Sequence, residues 1–159
     1  MLLWNTTRYD GRTVRRLVRL GFGSMTTARL LVWVRRSREA LSAMSYDYVP
    51  ELPDLFPLPA HARDLVVLRV GPATRFPCSG RYPGLRGAPD YRVRCWHEAV
   101  VVLAAHEAGH IEVFRRRRGA LRQLARGRSA RMAPDSELAC ERRALRTLRR
   151  FRTSAHVCE

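Results

Sequence analysis

The run His106-Glu107-Ala108-Gly109-His110 combines residue types and a spacing that can do chemistry. Residues i and i+4 of an α-helix point to the same side, so His106 and His110 can place two imidazole nitrogens on a single metal ion. Glu107 then reaches the space beside that ion rather than the ion itself. A carboxylate in that position can take a proton from a water activated by the metal and return it to a leaving amine.

An open tetrahedral site needs a third protein ligand. Glu137 stands at the start of a second helical pattern, with Glu141 one turn further along the same face. If the two helices pack together, Glu137 reaches the metal and Glu141 bonds the free ring nitrogen of a ligand histidine. The converse assignment, Glu141 as ligand and Glu137 as a helix-terminal acid, stays open. The other histidines, His61, His97 and His156, fall in a proline-rich loop, at a helix start and in the C-terminal tail, where they read as surface residues.

These groups must be positioned by the elements around them. Trp96, Val100, Leu103, Glu107, His110 and Phe114 recur at helical spacing, and the 96–114 stretch is apolar over most of its circumference, so it predicts a buried helix. Two histidines and a glutamate inside such a helix are costly without a partner such as a metal. The four arginines at 115–118, followed by Gly119, are expected to end that helix as a solvated basic knob. Pro134-Asp135-Ser136 then supplies a capping start for a final helix with Leu138, Ala139, Leu145, Leu148 and Phe151 on its apolar stripe. Upstream, residues 2–6 read as a short strand and 13–22 as an amphipathic helix. Residues 28–34 read as a buried strand, with a helical alternative continuing through 38–44. Residues 48–59, broken by four prolines, form an extended loop. Residues 64–70 are the best strand by β-branched content, and 91–95 alternate in the sense of a half-exposed strand.

The chain has 159 residues, 46% of them hydrophobic, which excludes disorder throughout and fits one domain over 1–152 with a flexible tail at 153–159. Its formal net charge is +16, carried by 30 basic residues, every one of them arginine. A GC-rich genome accounts for that bias more simply than selection for charge, although an arginine-rich surface still admits nucleic acid as a partner. No run approaches the ~20 apolar residues of a membrane span, and no signal-peptide pattern opens the chain, so no membrane partner and a cytoplasmic location are expected. The four cysteines form no CxxC pair and are expected to be reduced.

His106-Glu107-Ala108-Gly109-His110, followed by Ser136-Glu137-Leu138-Ala139-Cys140-Glu141-Arg142-Arg143-Ala144-Leu145, resembles the gluzincin arrangement of zinc peptidases, in particular the small minigluzincin and SprT-like enzymes. The resemblance is specific over about residues 96–151 and only architectural before them. It implies an α+β, zincin-like domain with an N-terminal helix, a small mixed sheet, an active-site helix and a C-terminal ligand helix. It implies one zinc ion held by His106, His110 and Glu137, with Glu107 as general base. Glu141 stands where the family often has Asp, a departure of one methylene. SprT-like proteins supply a third histidine soon after the motif; none is present here, which favours the gluzincin pattern. In such folds a peptide or protein substrate pairs with a strand lining the cleft, here 64–70 or 91–95, and a tyrosine helps hold the oxyanion, here Tyr91 or Tyr82. The competing expectation is a metallopeptidase-like regulatory or nucleic-acid-binding module that works through its arginine-rich surface.

Overall fold

In two apolar runs the buried side chains alternate in period two, and the sheet forms there. Leu30, Val32 and Val34 of the first run, with Val66, Leu68 and Val70 of the second, face one side, while Leu31, Leu65 and Val67 face the other. A computed structural model of the chain describes residues 1–36, 41–46, 62–71, 74–81, 84–127 and 136–154. The fold is α+β, with three helices, a four-stranded mixed sheet and a separate two-stranded sheet. Strands β1 (Leu2–Asn5), β2 (Leu30–Arg35), β3 (Ser42–Tyr46) and β4 (Asp64–Arg69) lie in the order β1-β2-β4-β3. β1 and β4 run parallel to β2, and β3 closes the far edge antiparallel to β4, with Ser45 opposite Val66.

Helix α1 (Gly11–Phe22) starts at Asp10, whose carboxylate accepts from the Thr13 N–H at 2.8 Å. Its Val14, Leu17, Val18 and Phe22 pack between the sheet and helix α2 (Trp96–Leu124). Each such side chain contributes about 1.5–3 kcal/mol by leaving water. The two helices cross closely at Gly21, where a Cβ would stand 2.5 Å from that of Ala104. Helix α3 (Glu137–Ser154) packs on the other flank of α2, burying Ala144 and Leu148 against Ala99, Val102 and Ala105. Ser136 caps it by accepting from the Ala139 N–H at 3.3 Å.

Several sequence expectations need correction. Helix α2 does not stop at residue 114: Gly119 weakens a helix by only about 1 kcal/mol relative to alanine, and Ala120 is buried. Nor do residues 115–118 make a free basic knob. Arg115 and Arg118 both reach back to Asp64, which is 1% exposed at the start of β4, and Arg115 also donates to the carbonyls of Thr26 and Ala28. The expected strand at 91–95 shrinks to β6 (Arg92–Val93), paired with β5 (Cys78–Ser79) outside the main sheet. Residues 64–70 make a central strand with both edges already occupied, so they cannot pair with an extended substrate. The helical alternative through 38–44 gives way to strand β3 where residues are described.

At the C-terminus residues 153 and 154, expected to open the flexible tail, still belong to α3, and Arg152 anchors that last turn. Its guanidinium bonds Glu98 at 2.8 Å and the Arg92 carbonyl at 2.7 Å, and α3 continues to Ser154. Cys95 is disulfide-bonded, against the expectation of reduced thiols, whereas Cys78 and Cys140 form no disulfide. The proline-rich loop, most of the segment joining α2 to α3, Tyr82, His61 and residues 155–159 lie outside the described residues. Among the described residues no helix is long and apolar enough to cross a membrane.

Candidate metal centre

Helix α2 brings His106 and His110 to one side, as the i, i+4 spacing requires, and buries both to 8% exposure. Helix α3 approaches that face because Gly109 leaves room for it: a Cβ there would stand 2.6 Å from the sulfur of Cys140. The close approach sets Glu137 against both histidines. Glu137 Oε2 lies 3.1 Å from His106 Nε2, Glu137 Oε1 lies 3.3 Å from His110 Nε2, and the two Nε2 atoms are 3.2 Å apart.

Each separation is near the ligand–ligand edge, about 3.3–3.4 Å, of a tetrahedron built on metal–ligand bonds of about 2.0–2.1 Å, with one carboxylate oxygen facing each imidazole. The Glu137 side chain is 43% exposed while both histidine side chains are near 10%, so the group opens to solvent on the Glu137 side. The thiol of Cys140 also lies near, and one ligand atom each from His106, His110 and Cys140 falls within 4.8 Å of the others. The buried cluster can therefore hold a metal ion. Of the two further donors, Glu137 is within 3.3 Å of both imidazoles, and Cys140 packs beneath Gly109.

Glu141 sits behind the cluster. Its Oε1 is 3.3 Å from His106 Nδ1, and its Oε2 accepts from the Tyr91 hydroxyl at 3.0 Å. A proton on Nδ1 shared with Glu141 leaves a lone pair on Nε2, the orientation a metal ligand needs. Tyr91 is 7% exposed, and burial followed by the neighbouring Glu141 carboxylate drives its pKa far up, so its hydroxyl keeps its proton. Burial works against a charged His106, but hydrogen bonding to Glu141 and the charges of Glu107, Glu141 and Glu137 outweigh it, and its pKa is raised. Three carboxylates thus surround two imidazoles in a chain whose net charge is +16. Facing lone pairs and carboxylates repel unless a proton or a cation lies between them.

Glu107 turns from α2 toward the edge strand β3, where the Ser45 hydroxyl donates to its Oε2. Burial pushes its carboxyl above the usual range, against the lowering effects of Ser45 and of the two histidines.

The structure thus gathers His106, Glu107, His110, Glu137 and Glu141 into one cluster. It places Tyr91 behind them, holding Glu141. Sequence reasoning missed Ser45 and Cys140. Ser45 lies on a strand with no β-branched residue to announce it, whereas Cys140 was readable from helical spacing, three residues after Glu137 on the same helix. Comparison of the chain with known protein families, with curated proteins and with solved structures finds no match in any of the three.

Proposed function

We propose that the protein is a zinc-dependent metallopeptidase that hydrolyses peptide bonds with Glu107 as general base. The observation that carries this reading is the 3.2 Å spacing of His106 Nε2 and His110 Nε2, each faced at 3.1–3.3 Å by one oxygen of the Glu137 carboxylate, with the Glu107 carboxylate beside them. Two imidazoles and a carboxylate form the donor set of an open catalytic zinc site. The tight spacing favours Glu137 over Cys140 as third ligand, and Glu141, on the far nitrogen of His106, fits the outer role. Zinc in such a site lowers the pKa of a bound water and polarises a carbonyl.

The chain's own residues divide the remaining work. Glu107 takes the proton of the attacking water at its carboxylate and passes it to the amine nitrogen that leaves. Ser45 holds that carboxylate in place, and Tyr91 with Glu141 fixes the ring of His106. Strand β3 offers the sheet edge nearest Glu107, and an extended substrate pairs with that edge by backbone hydrogen bonds. This replaces both strands favoured by the sequence. The nucleic-acid alternative loses Arg115 and Arg118, which are bound to Asp64.

The test is hydrolysis of a quenched-fluorescent peptide library by the zinc-loaded protein beside its Glu107→Gln variant. Turnover by the parent that disappears in the variant, with zinc retained in both, is the expected result. Equal turnover by the two proteins contradicts the assignment.

A further inference from the structure

Beside Glu107 and His106 the surface opens into a cavity of about 630 Å³, enclosed by β3, the β5 arm and helix α2. Ala43 and Leu103 give it apolar walls. The two carboxylates on its border are already engaged, Glu107 by Ser45 and Glu141 by Tyr91 and His106. Arg75 and Arg81 supply the other charges of the lining, so the remainder of the cavity is cationic. Arg81 is steadied by a 3.1 Å bond to the Leu85 carbonyl, which leaves most of its donors for another partner.

A second observation concerns the same walls. Among the described residues, Ser42 Oγ and Thr74 Oγ1 are the buried side-chain polar atoms with no hydrogen-bond partner, and both residues line this cavity. Buried hydroxyls are as a rule paired, so two orphans on one cavity point to a polar occupant, and the arginines beside them make an accepting group the better match. A carboxylate meets all of these features at once. Guanidinium forks match its two oxygens, hydroxyls donate to them, and an aliphatic stem fits against Ala43 and Leu103.

We propose that this cavity seats a glutamate side chain of the substrate next to the scissile bond, so that the protein acts on acidic peptide segments. The inference rests on the peptidase reading for the word substrate, but its binding chemistry is independent of turnover. The net charge of +16 favours encounter with acidic chains over longer range.

The test uses the zinc-loaded Glu107→Gln protein and fluorescein-labelled peptide libraries whose central residue is fixed as Glu, Gln or Lys. Binding is read by fluorescence anisotropy at physiological salt. A further library with glutamate at one terminus and glutamine at the centre controls for overall charge. Central glutamate is expected to bind roughly tenfold tighter than central glutamine or terminal glutamate, the worth of a charge-assisted hydrogen bond. Adding Arg75→Gln and Arg81→Gln should bring central glutamate down to the glutamine value. Equal binding of central glutamate and glutamine overturns the proposal, as does binding of none. Wild-type protein incubated with the same libraries separates the two ideas. Cleavage without a glutamate preference sinks the cavity inference and leaves the peptidase standing. A glutamate preference in binding, with no cleavage by zinc-loaded wild type, supports the cavity and defeats the peptidase reading.

Discussion

Two groups of buried charge lie along helix α2, and they are built in opposite ways. At Asp64 one carboxylate, 1% exposed, meets the guanidinium groups of Arg115 and Arg118, whose charge is permanent. Cation outnumbers anion, and the leftover Arg115 donors go to backbone carbonyls. The result is a strut that ties the far part of α2 to the sheet. One helix section earlier, three carboxylates meet two imidazoles whose nitrogens face each other and a carboxylate at 3.1–3.3 Å. Anion outnumbers cation, and the bases can give up their protons. The first arrangement is complete as it stands, whereas the second has room for a metal ion or a proton between its groups. Burial and charge count alone do not tell them apart; the chemistry of the partners does.

The contrast is sharpened most by Glu107→Gln. If the peptidase proposal holds, hydrolysis falls by about 10²–10⁴, with melting temperature and zinc content held, because the proposed role of the side chain is on substrate rather than on the fold. A collapse in melting temperature would move Glu107 to the strut class. The converse holds for Asp64→Ala. That change should cost about 2–4 kcal/mol in urea unfolding with zinc stoichiometry unchanged. It falls below the ~3–5 kcal/mol of fully enclosed pairs because the arginine side chains are 25% and 29% exposed.

A third pair, Glu98 with Arg152, tests the strut description by pH. Burial alone would raise the Glu98 carboxyl, but the Arg152 guanidinium and the Arg94 N–H overcome it, so its pKa lies below the ordinary 4.5. A depressed carboxyl stabilises the fold at pH above its unfolded value, and that contribution is lost as pH falls through the lowered folded value. Acid titration of unfolding free energy should therefore steepen below about pH 4.5 in wild type and flatten there in Glu98→Gln. The smallest effect is expected from Ser45→Ala, which removes one hydrogen bond to the proposed general base, Glu107. A fall of about three- to tenfold in kcat, with little change in KM or melting temperature, is the outcome to look for in steady-state kinetics.

Helical periodicity made the core of the site legible. The i, i+4 relation put His106 and His110 on one side, and the same relation put Glu137 and Glu141 on one face of the next helix, so only the docking of α2 on α3 was left to find. Gly109 permits that docking, yet its role depends on a contact with Cys140 across two helices, which local spacing does not announce. Longer separations hid the rest. The ion pairs of Asp64 span 51 and 54 residues, so the arginine run looked like a solvated helix end. Ser45 was invisible for a different reason. Residues 42–46 gain strand structure from pairing with β4 rather than from their own propensity, and the pairing turns Ser45 toward Glu107. Strand β4 itself was legible from Leu65, Val66, Val67 and Leu68, but not its central position, which depends on where its neighbours pair.

Metal stoichiometry tests the central claim most directly. The protein would be purified without chelator, and zinc measured by mass spectrometry in wild type, His106→Ala, Glu137→Ala and Cys140→Ser, each checked for folding by circular dichroism. About one equivalent in wild type and in Cys140→Ser, with loss in His106→Ala and Glu137→Ala, is the predicted pattern. Folded wild type that takes up no zinc on titration, or zinc lost on removing Cys140 and kept on removing Glu137, would contradict it.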